Sequence, residues 1–563
     1  MMRKFLFLLS SFLVLEAKSI NIYKGWNLLG SSNEINLTKN FKNIKIIFTY
    51  NNKAKKWEYF TTDENLKSKL SNYKFIKVLK PNRAFWLYSD SNKTISYSVS
   101  EKIVGLFKNI SLIKGWNLIG ATNKINLSKN FNKDIIIIWG FDNKSKNWKF
   151  YSALENIKKI AKNYTFFEKT EENSGFWVYS DKNQTLLLKP NIKSTFITTI
   201  TNKENKYNAF KIEYPIDVNG EIINASTLLT IPISNSKLKI ICDEHGTLFD
   251  NDLAPTNQEK NNTNYYENAN LISGDNNFIG IFPDYLGYGS SYKKVKHPYI
   301  ISRYNAIDSL SAIYASLEYL RENNISFDNN LFITGYSEGG YNAMSLVKYI
   351  TENNIPINLK AFAPMAGPYN VSKMADNVLN INYTMPYPAI LGYIAFSYSN
   401  YYELNLTKIL NLDHTNTNEI NQLYTNLNSL MGISINQALL NISGLDLGIA
   451  DHKSYDLFNK DFLIDYQNNN LNNEEVRILK NAFKENNVYN WVPTLPVNLI
   501  QCSDDDIIPY SMSEDAYNYF ISHGAEDVTL TPLTSSVDLL HPSHHINCEA
   551  KAYKKAIEWF NSF

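Results

Sequence analysis

Leu331-Phe332-Ile333-Thr334-Gly335-Tyr336-Ser337-Glu338-Gly339-Gly340-Tyr341-Asn342-Ala343-Met344-Ser345-Leu346-Val347 is the stretch on which the reading of this chain turns. Its first four residues read as a short apolar strand, and the residues from Gly340 onward read as the opening turns of a helix. Between them lies G-x-S-x-G, a sharp turn that holds a serine hydroxyl out at the carboxyl end of a strand. Side chains at Gly335 or Gly339 would collide with neighbouring backbone in so tight a turn. The pentapeptide alone is weak evidence, and an ordinary turn serine is the competing reading. The surrounding strand and helix, and the segments that follow, decide between them.

The sequence after this turn offers the partners such a serine needs. A hydroxyl is a poor nucleophile without a neighbouring base and a group that orients the base. Ser503-Asp504-Asp505-Asp506-Ile507-Ile508-Pro509 follows an apolar strand candidate, Pro496 to Cys502. His541-Pro542-Ser543-His544-His545-Ile546-Asn547-Cys548 precedes a helix expected over Ala550 to Phe560. The order Ser, Asp, His is that of an α/β-hydrolase site, with a loop histidine before the last helix. Backbone donors for a developing oxyanion are expected at the amide of Glu338 and in His245-Gly246-Thr247, at the amide of Thr247. His245 itself reads as structural.

Outward from the turn, strands and helices alternate as in a parallel α/β sheet. Leu238 to Cys242, Phe278 to Phe282 and Leu359 to Ala363 are strand candidates. Ala306 to Leu320 is a helix candidate with apolar spacing at Ile307, Leu310, Ile313 and Leu317. The alternation stops over 370–490, which is helical, polar and rich in Asn. Its apolar stretch Ala389 to Phe396 either lines a pocket beneath a cap or packs the cap onto the core.

These segments together resemble the secreted lipases and esterases of the α/β-hydrolase superfamily. The resemblance rests on His245-Gly246, Pro283-Asp284-Tyr285-Leu286-Gly287-Tyr288-Gly289, His297-Pro298-Tyr299, Gly335 to Gly340, Asp505 and His545. It implies Ser337 as nucleophile, His545 as base rather than His544, and Asp505 as the orienting acid. Asp504 and Asp506 are then loop carboxylates. It implies a mostly parallel sheet over 200–563 with a helical cap at 370–490, cleavage of carboxylic esters through an acyl-enzyme, and no metal or organic cofactor. A small-molecule or lipid ester is the expected substrate. A serine peptidase of the prolyl oligopeptidase type is the alternative on this fold; it usually needs a carboxylate pair for the substrate amine, and Glu338 or Asp284 invites misreading as one. The resemblance stops short of the first 190 residues.

That N-terminal third is an internal repeat. Lys24-Gly25-Trp26-Asn27-Leu28-Leu29-Gly30 recurs 90 residues later as Lys114-Gly115-Trp116-Asn117-Leu118-Ile119-Gly120. Phe85-Trp86-Leu87-Tyr88-Ser89-Asp90 recurs 91 residues later as Phe176-Trp177-Val178-Tyr179-Ser180-Asp181. Two β-rich modules are expected, 20–100 and 108–190, each large enough to fold alone. Trp26, Trp57, Trp86 and their counterparts are expected in the cores, where aromatics usually sit. The other reading makes them a carbohydrate- or surface-binding face, and with it the chain a non-catalytic binding or adhesion protein.

Length and composition bound these readings. The chain has 563 residues, too many for one core. It carries 44% hydrophobic and 20% charged residues with a net charge of +2, a globular balance without the basic stripe that nucleic acid would require. Met1 to Lys4 and the apolar Phe5 to Leu15 read as a signal peptide, residues 1–19, cleaved near Ser19. Secretion or periplasmic export, with peripheral lipid contact, is the expected setting. No second stretch is long enough for a transmembrane helix. Of the three cysteines, Cys242 is expected buried, and a Cys502–Cys548 disulfide is possible without being fixed by the sequence.

Overall fold

The computed structural model describes residues 18–563 except 32, 43, 98–101, 122, 203–204, 235, 259–266, 385–387, 412–452 and 537–542. Residues 1–17 of the expected signal peptide (1–19) and part of the expected cap (412–452) lie outside the described residues. The chain divides into two compact units, 1–191 with 215–223, and 192–214 with 224–563.

In the first unit each repeat copy contributes four long strands. Copy one supplies β1 (Gly25–Ser31), β2 (Ile46–Asn51), β3 (Lys56–Phe60) and β4 (Arg83–Ser89). Copy two supplies β5 (Gly115–Ala121), β6 (Ile135–Phe141), β7 (Trp148–Tyr151) and β8 (Ser174–Ser180). The copies do not fold apart: both lie in one sheet, joined where β8 meets β1 at Ser174 and Leu29. At this seam Gly30 and Gly120 pack backbone to backbone, so a Cβ on Gly30 would lie 2.5 Å from Gly120 Cα. Each copy also lends the other an asparagine. Asn143 accepts from Leu28 N (2.7 Å) and donates to Leu28 O (3.2 Å). Asn52 does the same for Leu118 at 2.8 and 3.1 Å. An amide side chain thus stands in for a neighbouring strand, satisfying backbone groups that would otherwise be orphaned.

Alternation along these strands separates two faces. Ile47, Phe60, Phe85 and Leu87 form the core of copy one, and Ile138, Phe176 and Val178 that of copy two. Trp57, Trp86, Trp148 and Trp177 fall on the opposite face, partly buried, while Trp26 and Trp116 are each 39% exposed. Trp57, Trp86 and Trp177 pack against a small buried cluster of Leu28, Ala84 and Leu118 on that face, so the core expectation is corrected only for Trp26 and Trp116. Period-2 patterning says that a strand has two faces but not which one meets water.

The second unit is built on β9 (Asn205–Val218) as far as Tyr214, β10 (Glu221–Pro232) from Asn224 onward, β11 (Leu238–Glu244), β12 (Ile279–Pro283), β13 (Phe327–Tyr336), β14 (Leu359–Met365), β15 (Val497–Cys502) and β16 (Val528–Leu533). Their order is β9-β10-β12-β11-β13-β14-β15-β16. β10 runs antiparallel to β12, and from β12 to β16 every pairing is parallel. The central strands read as unbroken apolar runs because helices cover both faces. The helices are α1 (Ser302–Glu322), α2 (Glu338–Glu352), α3 (Val371–Val378), α4 (Pro388–Tyr402), α5 (Lys460–Gln467), α6 (Glu474–Glu485), α7 (Ser511–Ser522) and α8 (His544–Asn561). α3 to α6 fall within the stretch where the strand alternation stops. Among the described residues no helix is long and apolar enough to cross a membrane, and no cluster of His, Cys, Asp and Glu could hold a metal ion.

Candidate active site

Ser337 stands between β13 and α2 with φ +60° and ψ −119°, a left-handed conformation that a non-glycine residue adopts only under tertiary constraint. The constraint is visible: Ser337 N donates to Met365 O (3.0 Å), and Ser337 O accepts from Tyr341 N (3.1 Å). The flanking glycines are required by close approach. A Cβ on Gly339 would lie 1.8 Å from Glu244 O, and one on Gly335 2.5 Å from the same oxygen. The loop after β11 is thus pressed against the turn, and Gly246 lies beside Ser337 Cβ. Among the described residues no protein acceptor takes the backbone amide of Glu338 or of Thr247. The Thr247 hydroxyl bonds the Tyr299 hydroxyl at 2.8 Å.

Three successive aspartates after β15 take three different tasks. Asp505, fully buried, meets His545 Nδ1 at 2.7 Å. Gln501 Nε2 donates to that same oxygen at 3.2 Å, and the other oxygen accepts from Ile507 N (3.0 Å) and Ile508 N (2.8 Å). Gln501 is itself held by the Ser513 hydroxyl at 2.6 Å. Asp506 accepts from His545 N (2.9 Å) and the Ser543 hydroxyl (3.0 Å), placing negative charge at the start of α8. Asp504 pairs with His544 Nδ1 at 2.9 Å, both side chains about a third exposed. His544 is thereby turned away from Asp505.

His545 is not in a loop. Ser543 caps α8, and the helix begins at His544, so His545 occupies its first turn. The helix starts six residues before the apolar pattern does because Ser543 and Asp506 satisfy its first amides. Tyr336, the neighbour of Ser337, donates its hydroxyl to His545 O at 2.6 Å. With Nδ1 taken by Asp505, Nε2 is buried and meets no hydrogen-bond partner among the described residues. A Cys502–Cys548 disulfide closes the same region, and Cys242 is free and buried.

A cavity of about 100 Å³ opens at Ser337 and Glu338. Its wall is apolar: Met374 and Leu379, Ile390 and Ile394 of α4, Phe462 of α5, Leu479 and Phe483 of α6, with Ile507 and Ile508 beside Asp505. The stretch Ala389 to Phe396 serves both purposes weighed from the sequence. Ile390, Leu391, Ile394 and Ala395 line the cavity, whereas Ala389, Tyr393 and Phe396 are buried.

Behind the turn lies a group of buried titratable side chains whose pairings sequence reading missed, since the members are far apart in the chain. His297 Nδ1 donates to Leu286 O (2.9 Å), and Nε2 meets Glu338 Oε1 at 2.7 Å, both side chains essentially unexposed. Asp284 is taken by the hydroxyls of Thr256 (2.6 Å) and Ser226. Burial pushes Glu244 up to about 8, against hydrogen bonds from Ser309 and Cys242. Burial likewise lifts Asp308 to about 7, against the Tyr214 hydroxyl.

Glu244 carries a stability prediction. An unfolded glutamate ionises near 4.5, and this one stays protonated in the fold to about 8. The folded state therefore holds the extra proton between those values, and stability present below pH 4.5 is lost as pH rises toward 8. Glu244→Gln is expected to remove this loss, worth on the order of a few kcal/mol. Thermal unfolding of both proteins from pH 5 to 9 is the measurement; parallel melting-temperature profiles would refute it.

No family model and no curated relative matches the chain. Solved structures do. A protein from Legionella pneumophila assigned as a hydrolase aligns with TM-score 0.53 and 22% identity over 65% of this chain and 90% of its own. The rice cell wall degrading esterase LipA from Xanthomonas oryzae aligns with TM-score 0.56 and 19% identity over 66% and 97%. The shared property is the fold, an α/β-hydrolase-like one.

Proposed function

We propose that the chain is an exported serine hydrolase that cleaves carboxylic esters with an apolar acyl group. The observation that supports this reading is the cavity lining, which joins Ser337 and Glu338 to apolar side chains of α3 to α6 and to Ile507 and Ile508 of the Asp505 loop. Ser337 Oγ attacks the ester carbonyl, and His545 Nε2 takes its proton. Asp505 holds the imidazole with Nδ1 protonated and balances the imidazolium that forms. The amides of Glu338 and Thr247 receive the oxyanion. His545 then protonates the departing alcohol, leaving an acyl-enzyme. Water attacks it, giving its proton to His545, and the acid departs as Ser337 regains its hydrogen. The acyl chain occupies the cavity between α3, α4, α5 and α6, where each buried methylene is worth about 0.8 kcal/mol.

The peptidase alternative loses support at its amine site. Glu338 is engaged by His297, and Asp284 by Ser226 and Thr256. The test compares p-nitrophenyl acetate, p-nitrophenyl octanoate and an aminoacyl-p-nitroanilide, with Ser337→Ala beside the unmodified protein. Expected is ester turnover, at least tenfold higher kcat/KM for the octanoate, and loss of all turnover in the variant. Turnover of the anilide alone, or ester turnover that survives Ser337→Ala, overturns the reading.

A further inference from the structure

The aromatic face of the first unit encloses a cleft of about 490 Å³ lined by Tyr50, Trp116, Trp139, Trp148, Tyr164 and Trp177. Every lining residue is aromatic and none is charged. Lys55 Nζ is committed to Trp116 O and Lys146 Nζ to Trp26 O, each donating at 2.8 Å. Lys149 is paired with Asp142 at 3.0 Å.

The rings do not close on one another. Trp139 stands at 87° to Trp148 and 81° to Tyr164, and Trp116 at 90° to Trp177. In an edge-on contact one ring's face stays open, and Tyr164 remains 49% exposed. A concave site that keeps so much aromatic surface in water is a binding site far more often than an accident of packing.

A second observation comes from the internal repeat. The six positions correspond in the other copy to Phe141, Trp26, Phe48, Trp57, Tyr73 and Trp86, all aromatic. These too meet edge-on, Phe48 with Trp57 at 85° and with Tyr73 at 77°. The polar neighbours did not keep their chemistry: Glu58 corresponds to Lys149, and Arg83 to Ser174. What the copies share is the aromatic lining, not the charge around it.

We propose that this cleft is a glycan-binding site that stacks the pyranose rings of an uncharged oligosaccharide. A pyranose offers a C–H face to an indole face and keeps its hydroxyls at the rim, in water. The absence of charge in the lining suits a neutral ligand. The volume exceeds what a trimethylammonium head, the other usual guest of aromatic walls, would fill. The site is independent of the ester-hydrolase reading.

The test titrates the full chain with cellohexaose, xylohexaose, chitohexaose and maltohexaose, following tryptophan fluorescence and heat. Trp139→Ala and Tyr164→Ala are measured in parallel, each checked for native circular dichroism. Expected is saturable binding of at least one oligosaccharide, weakened tenfold or more by either substitution. Tyr164 is exposed, so its variant decides the matter if Trp139→Ala fails to fold. The proposal is overturned if none of the four binds the intact chain, or if the folded variants bind equally. It is also overturned if tetramethylammonium alone occupies the cleft, or if the face proves to be a self-association surface that Tyr164→Ala disperses.

Discussion

Asp505→Asn is expected to lower kcat for ester hydrolysis by about three to four orders of magnitude while the protein stays folded. The carboxylate oxygen nearest His545 Nδ1 accepts a hydrogen bond from it at 2.7 Å. An amide at that position would instead present its NH2 group, given that the other oxygen is already committed to the amides of Ile507 and Ile508. His545 would then put its proton on Nε2 and could no longer accept one from Ser337. KM should change little, because Asp505 does not face the acyl cavity. Asp504→Asn and His544→Ala provide the controls, since that pair is a third exposed and turned outward. Steady-state kinetics on p-nitrophenyl octanoate reads the outcome. A fall of less than tenfold in Asp505→Asn, or an equal fall in the controls, would transfer the role to another acid.

The second large effect concerns the disulfide. Cys502 lies three residues before Asp505 and Cys548 three after His545, so the bond ties together the two segments that carry this hydrogen bond. It closes a loop with a sequence separation of 46, for which chain entropy predicts about 4 kcal/mol of stabilisation. Replacing both cysteines with alanine is expected to cost roughly that amount in denaturant unfolding and to loosen the acid–base pair, lowering kcat. Both sulfurs are fully buried, so a mild reductant should leave the native protein intact and act only once it unfolds. Unchanged unfolding of the double variant would show that packing alone holds these segments.

The features legible in the sequence are those fixed by local geometry. Gly335 and Gly339 announced the turn because no side chain fits there. Asp505 was singled out only by resemblance, as an Asp ahead of Ile507, Ile508 and Pro509 in the hydrolase pattern. The apolar runs of β11, β12, β14 and β15 gave away a parallel sheet. Hidden features are those assembled from distant residues. Gln501, the His297–Glu338 pair and the buried Glu244 are brought to the turn by strand order, which no single segment encodes. The start of α8 was misplaced because its amides are satisfied by Asp506, 38 positions before His544. The joint sheet of the repeat copies was equally hidden, since each copy carries a full set of strands.

The reciprocal loan of Asn52 and Asn143 bears on how this unit can be cut and moved. Neither copy is a self-sufficient part: excised alone, copy two would leave Leu118 without its side-chain neighbour and Gly120 without its glycine facing. A fragment with such an open margin invites pairing with another molecule of itself. The smallest transplantable piece is therefore the duplicated pair, and a single copy is expected to persist only as a homodimer, each chain supplying what its sister does here.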